Sequence, residues 1–115
     1  TVTSLEWGRV HTSDGGKYKD AILTSEGSVA WDWRVDGTRH QPGIHVDAVK
    51  PLMTHDVIVL SRGMDLVLQV HPDTLALLKE SGKEHHVLQS EKAVLLYNKL
   101  ISEGKKTAML LHSTC

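Results

Sequence analysis

Apolar and polar positions alternate along the first third of the chain, and the period then changes. Leu5-Glu6-Trp7-Gly8-Arg9-Val10 alternates and predicts a strand. His11 to Gly16, containing Asp14-Gly15-Gly16, predicts a turn. Tyr18 to Leu23 predicts a second strand, Ser25-Glu26-Gly27 a short hairpin turn, and Ser28 to Arg34 a third strand. In that strand Trp31 and Trp33 would share one face, with Asp32 and Arg34 on the other. Val35 to Gly43, with its Gly, His and Pro residues, reads as an ordered loop.

From there helical and strand patterns take turns. Val46 to about Thr54 predicts a short helix, in which Pro51 is tolerated only if it falls about one turn from the start. Asp56 to Leu60 carries an apolar run of the buried-strand type. Pro72 to Ser81 predicts a helix opened by proline, with Asp73 in its first turn and Gly82 as its stop. Glu84 to Gln89 predicts a strand. Ser90 is expected to cap a helix that runs to about Ser102 and ends at Gly104. Its positions Ala93, Leu96, Tyr97, Leu100 and Ile101 have the spacing of a buried stripe. Thr107 to Leu111 predicts the last strand. Strands near residues 57, 86 and 109, separated by helices, predict a parallel arrangement joined by right-handed crossovers. The expectation is one α/β domain over residues 1–115, its mixed sheet parallel in the C-terminal part, with an N-terminal antiparallel hairpin region.

Composition narrows the function classes. The chain has 115 residues, 40% hydrophobic and 23% charged, which suits one globular domain. Lys plus Arg is 13 and Asp plus Glu 14, a net charge of −1. Such a chain has no overall field to hold a polyanion, so nucleic acid is not an expected partner. The longest aliphatic run, Val57-Ile58-Val59-Leu60, is far short of the ~20 residues of a membrane helix, and no membrane is expected. Cys115 has no second cysteine to pair with, so a reducing compartment is expected. Thr1 to Val10 has neither a secretory nor a transit-peptide pattern. With Thr1 in place of Met, removal of a preceding segment is expected.

Ligands of open α/β sheets bind beyond the carboxyl ends of parallel strands. That rule points to Ser61-Arg62-Gly63-Met64, Gln89-Ser90-Glu91 and His112-Ser113-Thr114-Cys115. The candidate pocket is therefore Arg62, Gly63, Ser90, His112 and Cys115. The Arg62 guanidinium can grip an anion through two hydrogen bonds, or pair with the carboxylate at the chain end. Cys115 and His112 suggest a nucleophile and a base, but a packed or exposed thiol is the simpler reading of a pair three residues apart. The eight histidines are scattered, and none has the i,i+4 spacing with a flanking Glu that marks a zinc protease. His85 and His86 would point to opposite faces of a strand. No metal and no cofactor are expected on that spacing. Trp31 and Trp33 would supply aromatic core in a chain without Phe, or mark a partner surface.

Four blocks carry a family resemblance: Trp31-Asp32-Trp33-Arg34 with Gly37-Thr38, His40 and Pro42-Gly43; Arg62-Gly63-Met64; Val87-Leu88-Gln89; and His112-Ser113-Thr114-Cys115. The chain resembles the adipogenesis-associated Mth-domain-containing protein family, which also includes a mitochondrial complex I assembly factor and archaeal and bacterial members. The resemblance spans essentially the whole chain, and departs from the family pattern at Ser61, where Gly is common, and at Pro51. It implies a three-layer α/β domain with a mixed central sheet. It also implies a cytoplasmic, non-catalytic regulatory or adaptor protein with protein partners, linked to fat-cell differentiation and growth signalling. No catalytic residues come with it. The alternative from the residues themselves is a small-molecule, anion-binding protein or enzyme with its site at the carboxyl edge of the sheet.

Overall fold

The structure is a computed structural model that describes residues 1–115. Three strands open it: β1 (Val2–Glu6), β2 (Arg9–Thr12) and β3 (Lys17–Tyr18), paired antiparallel in that order. The strand expected over Leu5–Val10 is thus the two arms of a hairpin. Glu6 pairs with Arg9, and Trp7-Gly8 form the turn. Alternation continues in phase across a two-residue turn, so the pattern alone does not show the break.

The central sheet has five strands in the order β5-β4-β8-β6-β7. They are β4 (Asp20–Thr24), β5 (Gly27–Ala30), β6 (Val57–Ser61), β7 (Glu84–Leu88) and β8 (Thr107–His112). β7, β6 and β8 run parallel, while β4 lies antiparallel to β8 and forms a hairpin with β5. The sheet is mixed, parallel in its C-terminal part, as the helix–strand alternation predicts. The single strand expected over Tyr18–Leu23 is divided between β3 and β4, which belong to different sheets.

Both faces of the sheet are covered. On one, Val57, Val59, Met109, Leu111, Ala21 and Leu23 pack with Val2 and Val10 of the small sheet and with Ala93, Tyr97 and Leu100 of α4 (Ser90–Ser102). On the other, Ile58, Leu60, Ala108 and Leu110 pack under Trp31, α2 (Val46–Val49), Leu52 and Leu78 of α3 (Pro72–Ser81). β6 and β8 are buried along their whole lengths because successive side chains supply opposite layers. The three layers follow from that requirement.

Local chemistry explains where the elements stop. The expected third strand, Ser28–Arg34, ends at Ala30. Asp32 then accepts a hydrogen bond from the Arg34 amide and caps a short helix, α1 (Trp33–Asp36), between β5 and α2. Trp31 and Trp33 therefore do not share a strand face, although their rings sit 5.6 Å apart. α2 passes into a 3-10 turn over Lys50–Leu52 that holds Pro51 near its start, where a missing amide costs little. α3 spans the expected residues. The α4 cap is Gln89 rather than Ser90: its side chain accepts hydrogen bonds from the Glu91 and Lys92 amides, and Ser90 is the first helical residue. His45 and His71 cap α2 and α3 in the same way through Nδ1, which gives two of the scattered histidines a structural role.

Candidate functional site at the carboxyl rim

The carboxyl ends of β6, β7 and β8 meet along one rim, and half of that rim is tied to itself. The Arg62 amide donates to Leu88 O at 2.8 Å, and the Ser90 amide to Gly63 O at 3.2 Å. The buried Ser90 hydroxyl donates to His112 O at 2.5 Å, and the His112 amide to Ser61 Oγ at 2.7 Å. Met64 and Val67 amides donate to Thr114 O and Cys115 O at 2.7 and 2.9 Å. Gly63 makes this approach possible. Its φ is +87°, and a Cβ there would lie 2.4 Å from the backbone carbon and oxygen of Cys115.

Arg62 belongs to the same half. Its guanidinium donates to Leu68 O at 3.0 Å, Leu66 O at 2.9 Å and Gln69 Oε1 at 3.0 Å. Those bonds brace the loop after β6, where Leu66 takes a left-handed φ of +62°. The guanidinium makes no ion pair with a carboxylate at Cys115. Arg62, Gly63 and Ser90 thus hold the rim together. Arg62 is bound to its own loop and to Leu88, and Gly63 and Ser90 lie against the backbone of Cys115 and His112, rather than all three entering a shared pocket.

The other half gathers side chains. Because β4 runs antiparallel to β8, its first residue, Asp20, lies beside the last residue of β8, His112. Asp20 Oδ1 is 3.0 Å from His112 Nδ1 and accepts the Ser113 amide at 3.1 Å. The Ser113 hydroxyl donates to Lys19 O. Side chains of His112 and Asp20 are 3% and 11% exposed, so this is an interior pair. His112 Nε2 lies 3.3 Å from Thr114 Oγ1. The half-buried Cys115 Sγ lies 3.4 Å from His40 Nε2, in the loop after α1. One donor atom from each of His40, His112 and Cys115 falls within 4.8 Å of the others. Trp33 packs against both rings, 4.9 Å from His40 and 4.8 Å from His112, which are 5.5 Å from each other, and its indole Nε1 is buried and unpartnered.

An open cleft of about 630 Å³ adjoins this cluster, lined by residues 19–20, 31–34 and 37–40. Arg34 and Asp32 lie along it as an ion pair, 3.0 Å apart, and the hydrogen bonds from Arg34 hold the Asp32 carboxyl below its ordinary pKa. Lys19 and Arg39 line the same cleft without a carboxylate partner. Trp31 is buried, donating its indole N–H to Asp36 at 2.8 Å, so the partner surface expected at Trp31 and Trp33 is not an exposed platform. These two rings wall the cleft instead.

Two residues of the cluster escape the strand-end rule. Asp20 arrives by an antiparallel strand, and the rule concerns the ends of parallel ones. His40 is 75 positions from Cys115, a separation at which spacing along the chain says nothing. The available signal was the Trp31–Gly43 block that carries the family resemblance and contains His40. The expectation of no metal site rested on spacing between neighbouring histidines. The fold supplies three potential metal donors from two distant segments.

Together these features define a small three-layer α/β domain with a polar cluster at the junction of parallel and antiparallel strands. No helix is long and apolar enough to cross a membrane. Comparison with known proteins gives the family. The model of a family described as protein of unknown function (DUF498/DUF598) matches residues 2–112, and the chain belongs to that family. Its fold is similar to that of a conserved hypothetical protein of Pyrococcus horikoshii, at 20% identity and a TM-score of 0.81, covering 100% of this chain and 99% of that one. A protein designated MT938 matches at 20% identity and a TM-score of 0.78, covering 100% and 98%. A Bartonella henselae protein described as an outer membrane protein matches at 18% identity and 0.77, covering 99% and 94%.

Proposed function

We propose that the chain is a binding module for a small anionic molecule, held in the cleft beside Asp20, His112, His40 and Cys115. The observation that carries this reading is the state of the cleft's charges. Arg34 is taken by Asp32, and Asp20 by His112 and Ser113, while Lys19 and Arg39 have no carboxylate partner. Two uncommitted cations beside ring surfaces suit a carboxylate or phosphate group on a flat body. The anion site expected at Arg62 moves to these residues, because Arg62 spends its hydrogen bonds on its own loop. A thermal-shift screen with phosphorylated and carboxylated metabolites tests it. A true ligand at ~100-fold excess over Kd stabilises by about 2.7 kcal/mol. The shift is expected to vanish in the Lys19→Ala/Arg39→Ala double variant. A shift retained in that variant, or none with any compound, overturns the reading.

A second reading, a non-catalytic adaptor acting through protein partners, draws on exposed Val29 and Val35, 58% and 85% accessible, on and beside edge strand β5. The resemblance to adipogenesis-associated relatives supports, for this reading, a cytoplasmic role in fat-cell differentiation and growth signalling. Capture of a partner by the chain, lost in Val29→Asp/Val35→Asp, is its expected result. Capture unchanged by those substitutions contradicts it.

A further inference from the structure

We infer that His40, His112 and Cys115 form a binding site for a divalent metal ion of the zinc class. Tetrahedral zinc, with bonds of about 2.0–2.1 Å to nitrogen and about 2.3 Å to sulfur, sets its nitrogen and sulfur donors about 3.6 Å apart. His40 Nε2 and Cys115 Sγ are already 3.4 Å apart, and all three donors fit within 4.8 Å. A movement on the order of 1 Å by the third donor completes the half-shell. His40 lies in a loop, so this outer ligand can adjust to the buried His112.

The surroundings add a second, independent argument. Metal-binding imidazoles commonly donate their other N–H to a carboxylate, which fixes the tautomer and the ring. Asp20 Oδ1 lies 3.0 Å from His112 Nδ1, which leaves Nε2 as the donor toward the cluster. Asp20 is thus a positioning residue. The hydroxyl of Thr114, 3.3 Å from that Nε2, gives up its contact when the ion enters. Trp33 packs on both imidazoles and keeps water from one side. One thiolate with two imidazoles selects zinc over magnesium or calcium, which require oxygen donors. Coordination requires the Cys115 thiol proton to leave to solvent, so affinity rises with pH. Three protein ligands leave a fourth position open, the pattern of sites that hold water or a substrate atom. His40 lines the cleft, so that position adjoins the anion site proposed above. The metal site does not depend on that reading.

Cobalt(II) titration of the intact, reduced chain tests the inference. The expected result is one equivalent bound, visible bands of four-coordinate intensity, and a thiolate-to-cobalt charge-transfer band that zinc(II) displaces. Cys115→Ser is expected to abolish the charge-transfer band, and His40→Asn to weaken binding at least ~10-fold. Asp20→Asn, folded by circular dichroism, is expected to weaken it by ~10–100-fold while keeping the charge-transfer band. Lys19→Ala/Arg39→Ala is expected to keep the metal, which separates failure of the anion reading from failure of this one. A six-coordinate spectrum without charge transfer, or equal binding by wild type and Cys115→Ser, overturns the inference.

Discussion

On one side of the carboxyl rim, Ser61, Gly63 and Ser90 point their hydrogen-bonding groups at neighbouring backbone. On the other side, His40, His112 and Cys115 meet one another and the edge of a cleft. The tied half uses the ends of β6, β7 and β8, whereas the gathered half draws on the end of β8, the start of β4 and the loop that carries His40. The tied half fixes where the backbone of residues 112–115 lies. The gathered half then receives side chains at distances set by that support. Groups whose bonding is complete serve as scaffold, and groups held by long or partial contacts remain free for a ligand.

Substitutions that attack the tied half should cost the most stability. Gly63→Ala places a Cβ 2.4 Å from Cys115 backbone atoms at a φ of +87°, and neither can give way cheaply. A loss of about 3 kcal/mol is expected in urea denaturation, by the penalty for a side chain in a forbidden backbone state plus the clash. A loss under ~0.5 kcal/mol would mean that the rim backbone is free to move. Ser90→Ala leaves His112 O without its donor in a buried setting, and a loss of about 1–3 kcal/mol is expected. Cys115→Ser and His40→Asn touch the gathered half, and stability is expected to change by no more than ~0.5 kcal/mol while metal binding fails. If those variants lost as much stability as Ser90→Ala, the division between support and site would collapse.

The smallest expected effect lies away from the rim and serves as its control. Asp14 accepts hydrogen bonds from the Thr12 hydroxyl, then Ser28 and the Gly16 amide, and these lower its pKa from 3.8 to about 2. A carboxylate depressed in the folded state stabilises it above the unfolded pKa, and that contribution disappears as pH falls through the folded value. Stability should therefore decline between about pH 4 and pH 2 in part through Asp14. Asp14→Asn should flatten that segment of the pH–stability curve and leave the metal site untouched. An unchanged slope would remove Asp14 from the account.

The layered architecture was largely legible in the sequence. β6 and β8 read as buried because both faces are apolar, and α3 announces itself with Pro72, Asp73 and Gly82. Misplaced boundaries have common causes. Trp7-Gly8 is a turn that keeps the alternation in phase, Asp32 diverts the chain into α1, and Gln89 takes the capping role that Ser90 leaves for His112 O. His112 and Cys115 were legible as rim residues from strand order. Asp20 and His40 were not, because antiparallel pairing and a long loop deliver them. A sequence shows which residues share an element; it does not show which elements end at the same point in space.

Equilibrium dialysis of the intact, reduced chain against zinc, with bound metal quantified by mass spectrometry, tests the division of the rim most directly. One equivalent is expected for wild type and for Ser90→Ala, and far less for His40→Asn and Cys115→Ser. Zinc binding that is absent in wild type, or retained in full by the His40 and Cys115 variants, would contradict the assignment of the gathered half as the site.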